Sequence, residues 1–182
     1  MTTALVVIDV QESFRRQASW ADISAPDIVE RTNRLVDAAH AAGDLVVWVL
    51  HESPGSGGPF DPVNGLVRLQ PDLRARQGDL TVVKTSHNAF TTTNLTQHLT
   101  RHDTRRLRIS GIRVEQCVET TARLGSDMGY DVEVVIDACG THPLALADGS
   151  GVLTVEQVTE RTAAALAGRF ATITTVEQVV GG

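Results

Sequence analysis

Short, uninterrupted aliphatic runs recur along this chain and constrain its fold more than any other feature. Ala4-Leu-Val-Val-Ile-Asp9 is apolar at every position until it ends in a carboxylate. A strand with one face in water alternates apolar and polar residues, whereas a run apolar throughout reads as a strand covered on both faces, the habit of parallel sheets. Asp44-Leu-Val-Val-Trp-Val-Leu50, Leu80-Thr-Val-Val-Lys84 and segments 105–110, 131–138 and 171–175 extend the series to six expected strands, the fourth stopping at Gly111. Helical patterns fall between them. Ser24 offers an N-cap, with Pro26 and Asp27 in the first turn; Ile28, Val29, Leu35, Val36 and Ala39 follow at helical spacing, and Gly43 closes the element. Further helices are expected over 94–102, over 116–128 with Gly129 as the stop, and from the Thr154/Gln157 capping box to about Ala167, ended by Gly168. Joined by right-handed crossovers, such units give an α/β fold: a three-layer α/β/α arrangement around a six-stranded, Rossmann-like parallel sheet. Segment 52–79, with Pro54-Gly-Ser-Gly-Gly-Pro59, has no period and is long for a connection, which suggests a functional lid.

Composition narrows the partners. The 182 residues are expected to form one domain over 1–182, a size that buries a substantial core. Lys and Arg number 16 against 22 Asp and Glu, a formal charge of −6, and the basic residues are dispersed. That excludes a phosphate-neutralising stripe for nucleic acid and gives no attraction to anionic lipid. No apolar run reaches the roughly 20 residues that span a bilayer, and Met1-Thr-Thr-Ala4 lacks a basic leader region, so no signal peptide is expected. Cys117 and Cys139 are the two cysteines, too few for a disulfide framework, and the expected compartment is the reducing cytoplasm.

In open α/β sheets, ligands bind outside the carboxyl ends of the strands. Asp9 ends the first strand, Lys84 ends the third, and Cys117 lies just past the fourth, where the chain turns into a helix. A thiol at a helix N-terminus beside an ammonium has a lowered pKa, so a substantial thiolate population at neutral pH is expected. Asp9 would accept and return a proton, giving a nucleophile, a cationic partner and a carboxylate without a histidine. Each residue also has a bland reading: a loop-facing cap, a solvated strand end and a buried small hydrophobe. Their common edge favours the joint, catalytic one.

Val6-Val-Ile-Asp-Val-Gln-Glu-Ser-Phe14, Val83-Lys-Thr-Ser-His-Asn-Ala-Phe90 and Ser110-Gly-Ile-Arg-Val-Glu-Gln-Cys-Val-Glu-Thr-Thr-Ala122 follow one another in order, each carrying one of the three residues. With Gly129-Tyr-Asp-Val132, Ile136-Asp-Ala138 and Arg169-Phe-Ala-Thr-Ile-Thr-Thr175, the chain resembles the isochorismatase-like cysteine hydrolases, among them nicotinamidases and N-carbamoylsarcosine amidohydrolases. The resemblance implies an Asp9–Lys84–Cys117 triad and a cis peptide between Ile112 and Arg113. It further implies an oxyanion hole made by the backbone amides of Arg113 and Cys117. Relatives of this kind are frequently dimers or tetramers, so a homo-oligomer acting on a small molecule is expected. Zinc-dependent members carry an Asp and His pair after the second strand, where this chain has Leu50-His51-Glu52-Ser53; a lone histidine is a poor metal site, and neither metal nor cofactor is expected. Val114 stands where many relatives have threonine.

Isochorismatases that break a vinyl ether need no protein nucleophile, so the cysteine favours a C–N bond in an amide, ureide or imide, with Cys117 forming a thioester. The vinyl-ether reaction and a non-catalytic binding role are the alternatives. Receiver domains cluster several acids at the first strand end, and dinucleotide-binding folds place G-x-G-x-x-G after it; neither pattern is present. Phe14, Trp20, His51, Phe60, His87 and Phe90 are the expected pocket residues. Arg113, Glu115 or His142 would select a charged substrate group or lie solvated, and Cys139 is expected to be a packed thiol.

Overall fold

The computed structural model describes residues 2–181. Strands β1 (Thr2–Ile8), β2 (Leu45–His51), β3 (Leu80–Lys84), β4 (Thr104–Ile112) and β5 (Asp131–Gly140) are joined by a short hairpin, β6 (Leu144–Ala145) with β7 (Val152–Leu153), to the last strand, β8 (Thr172–Thr174). The helices are α1 (Glu12–Arg15), α2 (Ile28–Ala42), α3 (Leu95–Arg101), α4 (Glu119–Asp127), α5 (Val155–Leu166) and α6 (Val176–Val180). The main sheet has the order β3-β2-β1-β4-β5-β8, and every pairing within it is parallel. The α/β/α layering read from the sequence is the observed fold.

The run in β1 is apolar throughout because both of its faces are core. Ala4, Val6 and Ile8 enter one cluster with Leu95 and Leu99 of α3, Ala122 of α4 and Val158 and Leu166 of α5. Leu5 and Val7 point the other way, to Ile28, Leu35, Val36 and Ala39 of α2 and Val176 of α6. Each fully buried aliphatic side chain contributes about 1.5–3 kcal/mol, so the two clusters hold the three layers together.

Gly43 is the left-handed C-cap of α2 (φ +74°), and Thr154 with Gln157 closes a reciprocal capping box on α5. Ser24, however, does not cap α2. Asp27 occupies the N-cap position without a side-chain hydrogen bond, and Ser24 instead pairs with Thr141 after β5, donating N–H to its carbonyl and accepting its N–H at Oγ. That tertiary pairing outcompetes the local cap. β4 runs on through Gly111 instead of stopping there; β6 and β7 had no clear signal in the sequence, whereas α6 starts at a second capping box, Thr175 with Gln178, that the sequence reading passed over.

Gly111 lets two strands meet closely. It pairs with Ile8 of β1 and Cys139 of β5 beside a register shift, at φ +129°. A Cβ placed there would lie 1.9 Å from the carbonyl oxygen of Ile8. Only glycine fits, and Ile8 is the residue that leads into Asp9.

Candidate active site

Asp9 leaves β1 in the left-handed region (φ +56°), a conformation aspartate tolerates better than most residues. Its N–H donates to Val49 of β2, which holds the turn in place. Lys84 ends β3 two strands away, and both side chains are sealed from water, with 1% and 0% exposure. Cys117 sits in a single π-type turn, Val114–Val118, between β4 and α4. Thr121 Oγ1 donates to the Cys117 carbonyl at 2.6 Å and accepts the Ala89 N–H at 3.1 Å, tying this turn to the loop after β3. The peptide between Ile112 and Arg113, immediately before the turn, is cis.

Lys84 Nζ lies 2.8 Å from Asp9 Oδ2, 3.4 Å from Cys117 Sγ and 3.3 Å from His51 Nδ1. An ammonium has donors and no acceptor; Lys84 donates to Cys117 and His51 and meets Asp9 as an ion pair without an aligned hydrogen bond. His51 Nδ1 must then be the accepting nitrogen, which places the ring proton on Nε2, within 3.3 Å of Ser53 Oγ. Burial first, and the Lys84 charge second, push His51 down to about 4, so the ring is neutral over the physiological range.

The electrostatics correct one expectation. Cys117 is not a low-pKa thiol at rest: burial, followed by the Asp9 charge, pushes it up to about 12 against the lowering effect of Lys84. A thiolate 7% exposed, with a carboxylate beside it, is too poorly solvated for a helix end and one ammonium to compensate. Burial likewise raises Asp9 against the pull of Lys84, which suits a carboxylate that must accept a proton. Neither oxygen of Asp9 accepts a well-aligned hydrogen bond within the chain.

A cavity of about 160 Å³ opens over these groups, lined by Asp9, Phe14, Gln17, His51, Phe60, His87, Arg113, Gln116 and Cys117. Four of the aromatic and histidine residues expected there are thus present. Their rings form a chain: His51 meets Phe60 edge-on at 5.6 Å, Phe60 meets Phe14 edge-on at 4.9 Å, and Phe14 stacks on His142 at 6.4 Å. Phe60 comes from segment 52–79, so the expected lid supplies a wall of the cavity. The other two expected residues lie elsewhere. Phe90 stacks on Tyr130 in the core, and Trp20 packs against the cluster that includes α2. A wider hollow of about 580 Å³ beside Pro26 and Asn33 holds neither the acid, the lysine nor the thiol.

Sequence reasoning missed Gln17 and Gln116, and it gave no role to Gln11. Gln11, fully buried, accepts the His51 N–H at 2.7 Å and donates to the His51 carbonyl at 3.0 Å, locking the ends of β1 and β2 together. Nothing in the local pattern marked it, since the polar residues Glu12 and Ser13 follow it directly. Cys139 is buried and donates to the Val135 carbonyl, consistent with packing.

A metal does not fit this site. His51 presents Nδ1 to an ammonium, and no group of three or more His, Cys, Asp or Glu side chains placed to hold a metal ion occurs among the described residues. Nor is any described helix long and apolar enough to cross a membrane.

Comparison with known proteins places this site in context. The signature of the isochorismatase domain matches residues 3–178. An isochorismatase family protein of Bacillus subtilis, YddQ, is 29% identical over 178 residues, covering 97% of this chain and 98% of the relative. The ureidoacrylate amidohydrolase RutB of Methylorubrum extorquens is 30% identical over 185 residues, covering 81% and 74% respectively. The crystal structure of a cysteine hydrolase from Pseudomonas syringae superimposes with a TM-score of 0.88 at 25% identity, covering 98% of this chain and 91% of that one.

Proposed function

The chain belongs to the isochorismatase family of hydrolases, and on that premise we propose that it is a metal-independent cysteine hydrolase cleaving a C–N bond in a small amide, ureide or imide. The observation that carries this reading is Lys84 Nζ lying 2.8 Å from Asp9 Oδ2 and 3.4 Å from Cys117 Sγ, two groups that line the cavity. The relative that hydrolyses an amide bond, RutB, supports the bond type.

With the thiol protonated at rest, the reaction begins by general-base catalysis. Asp9 takes the Cys117 proton as sulfur attacks the carbonyl carbon, and Lys84 stabilises the charge forming on sulfur. The C=O electron pair moves to oxygen, and the oxyanion rests on the backbone amides of Arg113 and Cys117. Collapse breaks the C–N bond, Asp9 returns the proton to nitrogen, and ammonia or an amine leaves. Water then attacks the thioester with Asp9 again as base; the acid is released and the thiol is restored. His51 is assigned to holding Lys84 by accepting one of its N–H groups at Nδ1.

The test is ammonia release from a panel of small amides, ureides and imides by wild type and Cys117→Ser, with and without chelator. Release by wild type alone, unchanged by chelator, is expected. Equal release by Cys117→Ser overturns the nucleophile, and loss in chelator overturns metal independence.

A further inference from the structure

Among the side chains around the cavity, Asp9 and Lys84 compensate each other, whereas Arg113 has no counter-charge. No carboxylate lies within ion-pairing distance of it among the described residues, and its buried Nε has no hydrogen-bond partner in the chain. Glu115, two residues on, instead accepts the Thr141 hydroxyl through Oε2 at 2.6 Å.

The neighbourhood is built but unsatisfied. His142 is only 3% exposed, and both of its ring nitrogens are sealed without a partner. Burial and the nearby Arg113 charge keep its pKa low, so this ring is neutral and does not offset the guanidinium. Asp22, which acts on His142 in the opposite sense, is exposed to water, where its field is screened. Phe14 carries this region into the cavity: it stacks on His142 and lines the wall with Arg113. Arg113 is half-buried with its charge uncompensated beside these sealed, unpaired atoms, and an anion bound at the open end of its guanidinium offsets that charge.

We propose that Arg113 anchors a carboxylate on the substrate, so that the site selects small ureides or amides bearing an acid group a few bonds from the carbonyl attacked by Cys117. This rests on the hydrolase reading above and deepens it. Guanidinium matches carboxylate in charge and planar geometry. The cavity of about 160 Å³ suits a small molecule of this kind.

Ammonia release from 3-ureidopropionate and from its neutral counterpart 3-ureidopropionamide, with products identified to locate the bond cleaved, tests the selection in wild type. A kcat/KM at least tenfold higher for the acid is expected, falling toward parity in Arg113→Met and partly recovering in Arg113→Lys. Equal use of the two by wild type overturns the anchor while leaving the hydrolase reading intact. A second readout needs no turnover: protection of Cys117 from iodoacetamide by succinate against succinamide. Protection by succinate alone, weakened in Arg113→Met, upholds the anchor even if neither ureide is hydrolysed. Equal protection by both, or by neither, overturns it.

Discussion

Lys84 donates to Cys117 and His51 and is ion-paired with Asp9. Removing one of them leaves a buried donor unpaired and the ammonium free to turn. In His51→Leu, alkylation of Cys117 by iodoacetamide at pH 8 is expected to slow about tenfold, the size of one lost hydrogen bond to a charged group. His51→Gln, which keeps an accepting oxygen, should recover much of that rate; indistinguishable rates in the three proteins would remove the positioning role. The wild-type alkylation rate should also climb steadily with pH through 8–10, because the thiol sits at about 12. A plateau near pH 7 would mean a preformed thiolate. Gly111 is intolerant for another reason: alanine there combines a positive φ with a Cβ 1.9 Å from the Ile8 oxygen. Gly111→Ala is expected to cost at least about 3 kcal/mol in urea unfolding, and a cost below about 1 kcal/mol would contradict that close approach.

The long segment after β2 is held like an element although it has little regular structure. Its far end is anchored by Asp79, which accepts from Trp48 Nε1 and the Arg76 N–H and pairs with His40 at 2.8 Å. Its middle is tied down by Asn33, which donates to the Asp72 carbonyl and accepts the Arg74 N–H. Asp79→Ala should therefore cost about 2–3 kcal/mol, from several hydrogen bonds near 1 kcal/mol each, and speed proteolysis within 52–79. Unchanged cleavage would show that the anchor does not restrain the segment. This tethering was not legible in the sequence, since Asp79 meets His40 and Trp48 only after α2 and β2 are packed. The capping box on α5 was legible because its two partners are three residues apart. Ser24 shows the converse: a good local cap was diverted to Thr141, 117 residues away.

At the scale of the whole molecule, burying neutral histidines links folding to pH. His51 has a folded pKa near 4, below its ordinary 6.5, so as pH falls the unfolded chain takes up that proton first. The contribution is present above about pH 6.5 and is lost as pH falls toward 4. Urea unfolding of wild type should weaken more steeply across that window than that of His51→Gln. Parallel curves would mean that the ring is not held neutral by the fold.

The pattern of fully apolar strands was enough to predict the layered sheet, because burial on both faces leaves its mark on every residue of a strand. Parallel topology then carried Asp9, Lys84 and Cys117 to one edge, so their meeting was legible before any side chain was placed. Which rings line the cavity was not: Phe14 and Phe60 reach it while Phe90 turns into the core, a choice made by packing between distant segments. The proton state of the thiol and the missing counter-charge of Arg113 were likewise decided only by tertiary structure. Both depend on how much water the folded chain excludes and on which charges it brings near, quantities that no local stretch of sequence contains.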